Sequence, residues 1–82
     1  GILASKDTPD RIIESQELHE VILKAMNDLP KELREAITLR EIEGMSYDDM
    51  AIALKVPVGT VRSRIFRARE FIESRMAHLT SR

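Results

Sequence analysis

Few residues in this chain are equipped for chemistry, and most of them do not assemble into a reactive set. His19 and His78 fall on different predicted helices, with no cysteine and no close third ligand, so a structural metal is not expected. Asp48 and Asp49 form a carboxylate pair in sequence, but neighbours on a helix point about 100° apart. They read better as first-turn acids that complement the helix dipole. There is no glycine-rich phosphate loop, no nucleophile elbow and no HExxH. An enzyme is not expected, and neither is a cofactor or a small-molecule substrate. What remains is charge. The stretch "GMSYDDMAIALKVPVGTVRSRIFRARE", Gly44 to Glu70, carries two adjacent aspartates in its first half and four arginines in its second, with no acid between Asp49 and Glu70. The chemistry open to such a run is recognition of a polyanion.

The whole chain is nearly neutral, with a formal net charge of −1. Its halves disagree. Residues 1–50 hold 6 Lys/Arg against 12 Asp/Glu, and residues 51–82 hold 7 against 2. A bland account makes this a solvated charged helix whose arginines pair locally with Glu70 and Glu73. Two glutamates can serve at most two of Lys55, Arg62, Arg64, Arg67 and Arg69, which leaves charge for an external partner.

Eighty-two residues make one small domain. There is no Trp, one Tyr, two Phe and three Gly, in a background of Leu, Ile, Ala, Glu and Arg. That composition favours an all-α domain over a sheet. The lack of cysteine excludes a disulfide framework and fits a reducing cytoplasm. No apolar run is long enough to insert in a membrane, and no signal peptide is visible. The chain opens Gly-Ile-Leu-Ala, so residues 1–7 are expected to be an engineered remnant or the end of an interdomain linker. Residues 8–82 are expected to form the domain.

Four helices must position the basic run. In the first, Thr8 can be the N-cap and Pro9 suits the first helical position. Leu18, Val21, Ile22, Ala25 and Leu29 then recur at three- and four-residue spacing. Pro30 ends this helix. In "KELREAITLREIEG", Leu33, Ala36, Ile37 and either Leu39 or Ile42 are expected inward, with Gly44 stopping the helix in the left-handed region. "SYDDMAIAL" is a short third helix capped by Ser46, with Asp49 three residues on approximating a capping box. After "KVPV", a fourth helix runs from about Val58 towards Leu79. Its inward face is Val61, Ile65, Ala68, Ile72, Met76 and Leu79.

Two helices joined by a short turn, with a small residue in the first and a buried β-branched residue in the second, describe a helix-turn-helix. Ala51 permits the close crossing, and Val61 locks the fourth helix onto the third. Lys55 stands in the turn, where glycine would accept a left-handed backbone at less cost. With Val61, Ile65 and Ala68 inward, the outward face holds Gly59, Ser63, Phe66, Arg67 and Glu70, flanked by Arg62, Arg64 and Arg69. Such a helix suits a DNA major groove, where outward side chains reach base edges and flanking arginines reach phosphates. Phe66 has two readings: contact with a thymine methyl or sugar edge, or packing under a neighbouring helix.

The run "LPKELREAITLREIEGMSYDDMAIALKVPVGTVRSRIFRARE" resembles region 4 of bacterial sigma factors of the extracytoplasmic-function group, sigma-E type. The similarity is strong from about Leu29 to Glu70 and looser over the preceding helix. It implies a small four-helix domain that binds the −35 promoter element in the bacterial cytoplasm as part of RNA polymerase. It places Thr60, Arg62, Ser63, Arg64, Phe66 and Arg67 at DNA-facing positions, and Arg40 and Tyr47 near the DNA backbone. It further implies an apolar groove on the first helices for the flap of the polymerase β subunit, and an anti-sigma factor able to occlude the domain. Leu18, Val21 and Ile22 could line that groove or belong to the core, and core is the preferred assignment. Family members normally carry a second promoter-binding domain, which nothing here resembles, so the chain is expected to be the C-terminal domain of a longer factor. Two rivals stand beside this reading. One is the effector domain of a response regulator, sharing a "GxSxxxxA…TVxxxI" skeleton. The other is a protein-interaction module whose fourth helix binds an acidic partner.

Overall fold

The computed structural model describes the backbone of residues 9–80 and the side chains of residues 15–78. Four helices follow one another: α1 (Pro9–Asp28), α2 (Lys31–Glu41), α3 (Tyr47–Leu54) and α4 (Val58–Thr80). The fold is all-α, with α3 and α4 forming a helix-turn-helix. Helix α4 packs on each of the other three, and α2 also packs on α3. Among the described residues, no helix is long and apolar enough to cross a membrane.

The helix ends follow from local chemistry. Pro9 begins α1 as expected, whereas Thr8 and the side chain of Leu79 lie outside the described residues. Pro30, extended at φ −54° and ψ 149°, separates α1 from α2 and accepts the Arg34 N–H at 2.9 Å. The Arg34 guanidinium donates to the carbonyls of Asn27 and Leu29 at 3.1 and 3.0 Å, satisfying acceptors that the end of α1 leaves open. Gly44 has φ +72°, and an added Cβ would meet nothing within 4 Å. Backbone geometry, not crowding, therefore favours glycine there. Beyond it the Met45 N–H donates to the Leu39 carbonyl at 3.1 Å, closing the turn. Ser46 caps α3 by accepting from the Asp49 N–H at 3.1 Å.

The core is built where the apolar stripes of α1, α2 and α4 meet α3. Ala25, Leu29, Ala36, Ile37, Met50, Val61, Ile65 and Ala68 are buried. Leu33, Leu39, Ala51 and Ile72 pack against this cluster as half-buried neighbours. Met50 is fully buried at the contact between α3 and the rest, although a helix of eight residues is too short to announce its inner face by periodicity. Ile42, one of two candidates for an inward position, is instead 68% exposed. At 100° per residue it lies well round the helix from Ile37. Leu18, Val21 and Ile22 are half-buried and stand outside the main cluster, so the core assignment holds for them only in part.

The turn between α3 and α4 resolves the question at Lys55. It adopts φ 60° and ψ 45°, the left-handed conformation, as the C-cap of α3. The Val56 N–H donates to the Ala51 carbonyl at 3.1 Å, and the Thr60 and Val61 N–H groups donate to the Pro57 carbonyl at 3.0 and 3.2 Å. The hydrogen bonding of the turn over-determines a conformation that a lysine adopts at a cost of about 1–2 kcal/mol. Lys55→Gly should therefore raise stability by about 0.5–1 kcal/mol, read as a higher denaturant midpoint at unchanged slope. Val61→Asp places an unpaired carboxylate in a fully buried site. Its cost, upwards of about 4 kcal/mol, is comparable with the whole stability of a small domain, so loss of cooperative thermal unfolding is expected.

Candidate nucleic-acid interface

The buried stripe Val61, Ile65 and Ala68 fixes how α4 is rotated, and with it which residues look outward. Gly59, Arg62, Ser63, Phe66, Arg67 and Glu70 are exposed, while Thr60 and Arg64 are half-buried. Phe66 is 62% exposed, so it does not pack under a neighbouring helix. At Gly59 an added Cβ would touch nothing within 4 Å and the φ is not in the left-handed region. Packing within the chain does not demand a glycine there. Neither Arg62, Arg64 nor Arg67 has an acidic partner among the described residues.

Three helices converge on Tyr47, the first residue of α3. The Arg40 guanidinium of α2 lies 4.6 Å from the ring centroid, and that of Arg62 on α4 lies 5.9 Å away. A cation over an aromatic face is held by the ring quadrupole, with about 0.5–1 kcal/mol at exposed sites. Arg40 also donates to the Met45 carbonyl at 2.8 Å. Its guanidinium is thereby fixed from two sides, beside the N-terminal end of α3. The structure thus brings together Arg40, Tyr47 and Arg62, which the sequence separates across three helices.

Arg69 is different. Its guanidinium forms a salt bridge with Glu41 at the end of α2, and the hydrogen bond to Glu41 is the main reason its pKa is raised above the ordinary value. At helical spacing on α4 itself, the acids nearest the basic run are Glu70 and Glu73. The actual partner lies on another helix, where no local periodicity reveals it. Arg69, expected on the flank of α4, thus has an acidic partner on α2. Arg75 similarly bridges to Asp28 of α1 at 3.0 Å and covers the Phe71 ring at 4.5 Å.

On another side, an apolar groove runs between α1, α2 and α4. Ile22, Met26, Ile37, Ile42, Ile72 and Met76 line it, with Glu41, Arg69 and Glu73. Of the three residues considered for a partner groove, only Ile22 lines it. Ile42 and Met76 enter through tertiary packing, because α1 alone does not define the groove. His19 and His78 are both exposed, and no group of three His, Cys, Asp or Glu among the described residues could hold a metal.

Comparison with known proteins agrees with this arrangement. Residues 19–72 match the family described as sigma-70, region 4. The chain is 51% identical over 77 residues to the ECF RNA polymerase sigma-E factor of Haemophilus influenzae, covering 94% of this chain and 41% of that protein. It is 45% identical over 82 residues to the proteins of the same name from Salmonella typhimurium and Escherichia coli K12, covering 100% of this chain and 43% of each relative. The chain therefore spans about two fifths of the length of these curated relatives. With its helix-turn-helix and the match over most of its helical body, the chain belongs to the sigma-70 region 4 family.

Proposed function

We propose that this chain is the −35-binding C-terminal domain of an extracytoplasmic-function sigma factor, directing RNA polymerase to promoters in the bacterial cytoplasm. One observation carries the reading. The second helix of the helix-turn-helix buries Val61, Ile65 and Ala68, and presents Ser63, Phe66 and Arg67 on its opposite, exposed face. A helix of this width enters the major groove, where base edges carry a distinct pattern of donors, acceptors and methyl groups. Arg67 can donate two hydrogen bonds to a guanine edge, Ser63 suits either polarity, and Phe66 offers apolar contact to a thymine methyl. Thr60 and Arg64, half-buried at the sides, are assigned to the groove walls with Arg62. Arg40 and Tyr47 face the phosphate backbone where the α3 N-terminus adds its partial positive charge. The bare backbone at Gly59 allows close approach. Nothing in this mechanism requires a cofactor or bond-breaking chemistry.

The apolar groove between α1, α2 and α4 is the surface we assign to the polymerase β flap or to an anti-sigma factor. A module tethered by the polymerase beside its promoter needs little affinity of its own, since the tether supplies a high effective concentration.

The test is fluorescence anisotropy of the 82-residue chain on a duplex bearing a sigma-E-like −35 element and on a scrambled control, at low and moderate salt. Preference for the element supports the reading. Binding only to acidic proteins would instead support the interaction-module alternative. Arg67→Ala should cost about 1–3 kcal/mol on the element and much less on the scrambled duplex, relaxing discrimination at one or two base pairs. Equal losses on both would make Arg67 a phosphate contact. Arg62→Ala should weaken binding to both duplexes alike and reduce the salt slope by about 0.9. An unchanged slope would remove it from the phosphate contacts.

A further inference from the structure

Arg62 and Arg69 are seven residues apart on α4, two turns on and about 20° round, so they share one flank of the helix. Their environments differ. Arg62 lies over the Tyr47 ring with no acidic partner among the described residues, whereas Arg69 is bridged to Glu41. The side chains of that pair are 47% and 49% exposed. A pair so close to solvent adds little to stability, about 0–1 kcal/mol. Its electrostatic consequence is larger, because a carboxylate in contact with the guanidinium nearly cancels that charge for any polyanion approaching the flank. Glu41 and Arg69 also line the groove between α1, α2 and α4, so the bridge lies where the flank of α4 meets that groove.

We propose that Glu41 limits the chain's own grip on the phosphate backbone by holding Arg69 out of the set of DNA-contacting cations. Glu41 is thereby an affinity-setting residue that touches no DNA itself. It keeps the isolated domain weak and dependent on its tether, as a module delivered by a larger assembly requires. This inference rests on the DNA-binding reading above, and its test is arranged so that the two can fail separately.

The experiment measures salt-dependent binding of the 82-residue chain to the scrambled duplex alone, for wild type, Glu41→Gln, Glu43→Gln, Arg69→Ala and the Glu41→Gln/Arg69→Ala double variant. Preference for the −35 element plays no part in this readout. Glu41→Gln should steepen the salt slope by about 0.9, which corresponds to roughly five- to tenfold tighter binding at 0.1 M salt. Glu43, an exposed acid near the same helix end, reports the general effect of removing one negative charge. Glu43→Gln should gain less than half as much. Arg69→Ala should cost clearly more in the Glu41→Gln background than in wild type. Equal gains for Glu41→Gln and Glu43→Gln, or equal costs of Arg69→Ala in both backgrounds, would overturn the proposal. Circular-dichroism melts check that every variant is folded, and Glu41→Ala replaces Glu41→Gln if the amide variant melts early.

Discussion

Burial of one stripe of α4 is the constraint on which the rest of the structure depends. Val61 and Ala68 are completely inaccessible and Ile65 is nearly so. Each large apolar side chain among them contributes about 1.5–3 kcal/mol when removed from water. Because a helix is rigid, burying these three positions fixes the direction of every other side chain on it. The exposed face of Ser63, Phe66 and Arg67 is therefore a consequence of packing on the opposite side. Helix α4 also contacts each of the other helices. The same residues that hold the domain together thus aim its outer face, and a loss of core packing would lose the aim as well.

Electrostatics refines what packing aims. The arginines of α4 look alike in sequence, yet the structure gives each a separate situation. Arg62 is held over an aromatic ring, Arg67 stands free of acids among the described residues, and Arg69 and Arg75 are cross-linked to α2 and α1. Such surface pairs add little stability individually. Their larger effect is on the field the helix presents, since a bridged arginine offers a polyanion much less charge than a free one. Tyr47 has the complementary role of bringing guanidinium groups from two helices to one place.

Local rules explain the helix boundaries with little help from tertiary structure. Pro30, Gly44 and Ser46 each act through their own backbone or side-chain geometry, and their effects are confined to one turn. Lys55 marks the limit of such local control. Its left-handed backbone is unfavourable for lysine by itself and is sustained by the closure of the turn around it. Met50 makes the same point for the core, since nothing in a single short helix distinguishes its side chain from that of Ile52, yet Met50 is buried and Ile52 is 75% exposed.

The amino-acid sequence by itself determined the four helices, the helix-turn-helix, the inner stripe of α4 and hence its outward face. These follow from backbone propensity, capping and a period of 3.6 residues, all of which act over a few neighbouring positions. Only the tertiary structure decided which helix supplies the partner of Arg69, which guanidinium groups meet at Tyr47, and how Ile42 and Met76 join Ile22 along one groove. These contacts join residues on different helices. Their existence depends on crossing angles and helix rotations that no local pattern encodes.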